Sequence, residues 1–161
     1  MSNYITSNFS NLIFSCSVPS QWHMEHRVPD HCVVFVRQGK LLISDKGRTE
    51  EIPAGSCVFL KKDCSVRLVK ASFAGKNYEG LNIRLPQNIL EDYFQRHLKN
   101  NEFPQDFTGL SNCFMRLNRT LCLQGLLSSI ILFVEEGQDP GQEMTELKVE
   151  ELILDLLQTD I

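Results

Sequence analysis

From Cys32 to Leu85 the chain runs in short apolar segments divided by turn residues. Cys32-Val33-Val34-Phe35-Val36-Arg37 is β-branched and aromatic, and Gln38-Gly39-Lys40 turns it. Leu41–Ser44 follows, then Asp45-Lys46-Gly47-Arg48, a hairpin turn in which Gly47 supplies the positive φ that such turns need. Thr49–Ile52 is polar and reads as an exposed strand. Pro53-Ala54-Gly55 leads into the strand Cys57-Val58-Phe59-Leu60, and Lys61-Lys62-Asp63 turns again. Ser65–Lys70 alternates polar and apolar, as a half-buried strand does. Ala71–Asn77 is a loop, and Tyr78–Leu85 is the last strand of the series. Short strands spaced roughly 8–12 residues apart predict a sandwich or barrel and exclude alternating βαβ units.

After Leu85 the period changes. Ile89, Leu90, Tyr93, Phe94, His97 and Leu98 recur at helical spacing, with Pro86 near the first turn, where a missing N–H does no harm. This predicts a helix over 88–98, then a loop over 100–109. Cys113–Leu117 is ambiguous between a short strand and a helix start. A helix over 121–136 carries Leu123, Leu126, Leu127, Ile130, Ile131 and Val134 on one face, and 137–141 breaks it. A last helix over 144–158 follows, with Glu143 and Glu146 at its start, where the helix dipole favours acids. The fold class is thus α+β, mainly β. A strand-rich part over 1–85 and a helical part over 86–161 make one structural domain.

Three ordered segments carry a family resemblance. Val36–Leu41 followed by Glu51–Leu60 is a strand, a glycine turn, then a Pro-x-Gly turn into a strand. Leu85-Pro86 opens a helix. The pair 121–136 and Glu146–Leu157 closes the chain. In this order they resemble the N-terminal regulatory half of AraC/XylS-family transcription activators, in particular the type III secretion-activator-like subgroup. The resemblance covers the chain from about Trp22 onward. It implies a cupin-like β-sandwich or barrel followed by a helical dimerisation element. It also implies a regulatory role, with a small-molecule effector or an anti-activator protein as partner. The two helix-turn-helix units of that family are absent before Ile161, so contact with DNA is expected only through such a missing C-terminal half.

Composition agrees with a ligand-free folding unit. At 161 residues the chain can bury a core without metal or disulfide staples. A net charge of −4 gives no basic face for phosphates. The cysteines are Cys16, Cys32, Cys57, Cys64, Cys113 and Cys122, none in CxxC spacing. Cys32, Cys57, Cys113 and Cys122 sit in apolar runs, as small hydrophobes do. With no secretory leader in Met1–Asn11 and no span long enough for a bilayer, a reduced, cytoplasmic protein without membrane contact is expected.

Catalytic chemistry finds little support. Metal-dependent cupins place a histidine shortly after the Pro-x-Gly turn, and Val58 stands there instead. His23 and His26 fall on opposite faces of a strand, and His31 and His97 lie elsewhere, whereas a zinc or iron site needs three convergent ligands. No nucleophile elbow or phosphate loop is present. No catalytic residue, metal or cofactor is assigned. The alternative reading is a stand-alone cupin enzyme, metal-dependent or an isomerase.

A barrel interior can hold one ligand among its inward side chains. The candidates are Trp22, Val34, Val36, Arg37, Phe59, Leu68, Leu81, Ile83 and Arg84. Which parity faces inward is open, because several strands are apolar on both faces. One outer face is therefore expected to lie under the helices. Arg37 or Arg84 would anchor a carboxylate or phosphate if it points inward. The last helix is apolar on more than one stripe, which one sheet face cannot satisfy. Leu152, Ile153, Leu156 and Leu157 are expected to pack on Leu123, Leu127, Ile130 and Ile131. Phe133, Leu147 and Leu154, with Leu157 counted here too, are expected to meet a second copy and form a homodimer.

Overall fold

A computed structural model of the chain describes residues 4–97 and 112–158. In chain order the elements are β1 (Ile5–Phe9), β2 (Ile13–Val18), β3 (Trp22–Arg27), β4 (His31–Gln38), β5 (Lys40–Asp45), β6 (Arg48–Pro53), β7 (Cys57–Leu60), β8 (Ser65–Ala71), β9 (Tyr78–Leu85), α1 (Gln87–His97), β10 (Phe114–Leu117), α2 (Leu121–Glu135) and α3 (Gln142–Gln158). They form a six-stranded sheet in the order β1-β2-β9-β4-β7-β10 and a four-stranded sheet in the order β3-β8-β5-β6. All strand pairings between these elements are antiparallel. The fold is a mainly β, cupin-like sandwich with C-terminal helices.

The larger sheet is buried on both faces, which explains the continuous apolar run of β4. Val33 and Phe35 join Phe59, Leu81, Ile83 and Leu85 beneath Leu126, Ile130, Leu152 and Ile153 of the helices. Cys32, Val34 and Val36 join Leu41, Ile43, Ile52, Val58, Leu60 and Leu68 between the sheets. Each such side chain contributes about 1.5–3 kcal/mol by burial. The helical layer therefore covers one outer face, as the two-faced strands imply.

Local chemistry sets the element ends. Lys46 and Gly47 both have positive φ (48° and 81°), the backbone of the expected hairpin turn. Ser10 and Asn11 make a similar left-handed pair between β1 and β2, a turn without glycine that the strand pattern does not announce. Thr120 caps α2, its Oγ1 accepting from the Leu123 N–H at 3.1 Å. Gly137, at φ 63°, ends the same helix with its N–H on the Val134 carbonyl.

The structure revises four details. The helix expected over 88–98 is α1, Gln87–His97; position 98 and the loop over 100–109 lie outside the described residues. The last helix begins at Gln142, two residues before the expected start. The ambiguous segment before position 118 is a strand, β10, pairing Phe114 with Leu60 and Leu117 with Cys57. Cys64 and Cys113 are not free thiols but a disulfide, 49 residues apart with Cα atoms 5.5 Å apart. The β7–β10 ladder sets Cys113 beside the turn that holds Cys64, a non-local pairing invisible in the spacing of the cysteines. Among the described residues no helix is long and apolar enough to cross a membrane.

Candidate functional site: a cavity between the sheets

The space between the sheets is filled at one end and open at the other. Under β5 and β6, Leu41, Ile43, Ile52, Val58 and Leu60 close it. Beneath β1, β2 and β3 a cavity of about 310 Å³ remains. Phe14, Trp22 and Met24 give it apolar walls, and Tyr4 meets Trp22 edge to face at 5.3 Å between centroids.

Its polar groups come from β2, β8, β9 and the turn before β4. Lys70 Nζ lies 3.6 Å from Cys16 Sγ and rests over the rings of Trp22 (5.2 Å) and Tyr78 (5.6 Å). Arg84 Nη2 meets Asp30 Oδ2 at 2.5 Å, and its Nη1 donates to the Asn11 carbonyl at 2.7 Å. Asn82 Oδ1 in the cavity wall and the Tyr78 hydroxyl behind it are buried and have no hydrogen-bond partner among the described residues. Burial, and secondarily the neighbouring Cys16, push the Tyr78 phenol well above its ordinary range, so it stays neutral and able to donate. Gly80 makes room for it: a Cβ there would stand 2.5 Å from the Tyr78 hydroxyl.

The family follows from most of the chain, beginning at the start of β4. The profile of the ExsA N-terminal regulatory domain matches residues 31–161. The chain belongs to that family. It is thus a regulatory domain of the AraC-activator class. No curated protein sequence matches it. Among solved structures, an apo ToxT variant from Vibrio cholerae is similar at a TM-score of 0.64 and 12% identity, covering 94% of this chain and 58% of that one. ToxT from the same species bound to an unsaturated fatty acid gives 0.58 at 14% identity, covering 90% and 51%. ToxT bound to (E)-4-(8-methylnaphthalen-1-yl)but-3-enoic acid gives 0.56 at 14% identity, covering 89% and 54%. The likeness is one of fold, and this chain spans little more than half of the ToxT chains.

The ExsA-type domain gathers some of the expected ligand residues and separates others. Trp22 and Arg84 line the cavity. Val34, Val36 and Leu68 face the inter-sheet core without lining the cavity. Phe59, Leu81 and Ile83 turn to the helical face, because alternate residues of β7 and β9 point oppositely. Arg37 also points outward, bonding Glu135 of α2 at 2.8 Å and standing 3.9 Å from Glu79. Phe14, Cys16, Met24, Asp30, Lys70 and Asn82 line the cavity without having been singled out.

The histidines are scattered. His31 is buried on β4, where its Nδ1 accepts the Lys62 N–H at 2.9 Å. His23 is exposed on β3, and His97 lies against Tyr93, ring centroids 4.4 Å apart. Among the described residues no three His, Cys, Asp or Glu side chains gather as a metal requires. On the helices, Leu147, Leu154 and Leu157 of α3 are exposed, together with Leu121 and Leu132 of α2 and Met144 of α3. Phe133 is half-buried against the helical core, because it falls on the inner side of α2.

Proposed function

We propose that the domain is the effector-sensing and dimerisation part of a cytoplasmic transcription activator, with a small apolar acid held between its sheets as effector. Lys70 carries this reading. Its ammonium stands against two rings in a mostly apolar cavity, and no carboxylate pairs with it among the described residues. A charge in such surroundings favours an opposite charge beside it, which a ligand carboxylate supplies. Phe14, Trp22 and Met24 would bury the ligand's hydrocarbon part, and Asn82, whose Oδ1 has no partner among the described residues, would orient its polar end. Both ligands named in the ToxT structures, a fatty acid and a substituted butenoic acid, are apolar carboxylic acids. An open cavity favours a small effector over an anti-activator protein, which would need none.

Dimerisation rests on the exposed stripe of α3. Leu147, Leu154 and Leu157 stand seven and three residues apart, the spacing of a helix seam that meets its own copy. In this reading the domain has no catalytic role, metal or cofactor, and DNA is contacted by the activator's other half. An acid that binds one arrangement of the helices better than another shifts the activator toward it.

Calorimetric titration with decanoate and with 1-decanol tests the site. Decanoate should bind at least about tenfold more tightly than the alcohol, a margin of about 1.4 kcal/mol, and Lys70→Met should erase the difference. Equal binding of both compounds, or binding of neither, would contradict the assignment.

A further inference from the structure

The Cys64–Cys113 bond differs in setting from Cys32 and Cys57. Cys32 and Cys57 are buried, and burial pushes both thiols up to about 12, so neither exchanges at neutral pH. Both bonded residues are half-buried, within reach of a small thiol. Cys64 closes the β7–β8 turn, where its carbonyl accepts the Val28 N–H at 2.9 Å and the Asp63 N–H meets the Val28 carbonyl at 2.8 Å. Cys113 immediately precedes β10, and its carbonyl accepts the Lys61 N–H at 2.8 Å. β10 is a four-residue edge strand paired to β7. Thr120, which caps α2, follows shortly after it. The bond fastens the far end of the strand that leads into the helical layer.

We infer that Cys64 and Cys113 form a reversible redox latch, exchanging with small thiols and disulfides of the glutathione type, whose oxidised form holds β10 against β7. In oxidation one cysteine thiolate attacks a sulfur of glutathione disulfide. A mixed disulfide forms, and one glutathione leaves with the electron pair of the broken bond. The second cysteine thiolate attacks the mixed disulfide; the Cys64–Cys113 bond forms and the second glutathione leaves. Two electrons pass from the cysteine pair to glutathione disulfide, and the two protons lost by the cysteines end on the glutathione thiols. Reduction runs the same steps backward. Without the bond, β10 is held by its short ladder and by Phe114 and Leu117, and an edge strand of that length opens locally.

The test equilibrates the chain in glutathione buffers from fully reduced to fully oxidised, then quenches it in acid and denaturant and counts thiols with a maleimide–polyethylene glycol. Peptide mapping of the labelled chain should show the Cys64 and Cys113 thiols lost together, without bound glutathione, in one two-electron transition, whereas the exposed Cys122 takes up at most a mixed disulfide. In Cys64→Ser or Cys113→Ser the remaining cysteine can go no further than the mixed disulfide, so it should carry one glutathione in oxidised buffer, an adduct that the wild-type pair expels. Hydrogen exchange of the wild-type amides at 114–117 should be about tenfold faster in the reduced chain. If either variant fails to fold, the wild-type titration and exchange still decide. A pair that stays reduced in glutathione disulfide, a bond that survives reduced glutathione, or equal β10 exchange in both forms would overturn the inference.

Discussion

Arg84 and Asp30 stand 2.5 Å apart in the wall of the cavity, so one of its two cations is already matched by a carboxylate. Lys70, the other, has no such partner among the described residues. Any incoming acid meets one available cation and one that Asp30 occupies and shields. Asp30→Asn removes that competition. The variant should bind decanoate several-fold more tightly, while losing at most about 1 kcal/mol of stability, because the pair is only partly buried. Calorimetric titration of wild type and variant checks both the sign and the size; weaker binding by the variant would assign Asp30 the opposite role.

Alkaline pH should unfold the domain by a defined route. Burial first, and then for Cys32 the charge of Asp30, hold the Cys32 and Cys57 thiols at about 12, above their ordinary 9.0. Between those values the unfolded chain has released the two protons and the folded chain has kept them. Stability is therefore full below about pH 9 and falls as pH rises toward 12, by up to about 1.4 kcal/mol per pH unit for each thiol. Urea midpoints measured across that range should decline, and the Cys32→Val, Cys57→Val double variant should decline less steeply. A flat or rising wild-type profile would refute the account of these buried thiols.

The six strands β4 to β9 and the helix positions are legible because periods of two and 3.6 dominate their segments, whereas the pattern delimits none of β1, β2 and β3. The cavity is less so. Leu81, Ile83 and Arg84 all stand among the expected ligand residues with the parity open, yet the two-residue period of β9 puts Arg84 with Asn82 and Gly80 on the face opposite Leu81 and Ile83. That parity is visible in the sequence, and applied strictly it singles out Asn82. Lys70 carries the same mark, since the two-residue period of β8 puts it on the buried face of Val66 and Leu68, but its charge at a strand end reads as solvated until β3 and β2 bring Trp22 and Cys16 beside it. Phe14 and Cys16 lie on a strand whose first turn has no glycine or proline. The Cys64–Cys113 bond depends on the β7–β10 pairing, which no local pattern encodes.

Two turn glycines should respond differently to the same substitution. Gly39 has φ +77°, and a Cβ there would lie 2.6 Å from the Ala71 carbonyl oxygen and 2.8 Å from the Tyr78 Cα, both backbone atoms that cannot swing away. Gly47 has φ +81° with open space around it. Gly47→Ala should cost about 1–2 kcal/mol, the strain of a left-handed alanine. Gly39→Ala should cost about 3 kcal/mol or more. Urea unfolding of the two variants measures the gap, and equal losses would mean the β4–β5 turn relaxes freely.

The helical stripe predicts a separation of assembly from stability. Leu154 is 46% exposed, so Leu154→Glu should leave the fold within about 0.5 kcal/mol of wild type while breaking the dimer. Leu152→Glu, at a fully buried position of the same helix, should unfold the domain instead. Sedimentation velocity with circular dichroism distinguishes these outcomes. A dimer that survives Leu154→Glu would place the interface elsewhere.

Native mass spectrometry of the chain incubated with decanoate tests the central claim most directly, because it reports subunit number and bound acid in one spectrum. The expected species is a dimer carrying one decanoate per subunit, with the acid lost in Lys70→Met and the dimer kept. A monomer without bound acid, or acid retained undiminished by the Lys70→Met chain, would contradict it.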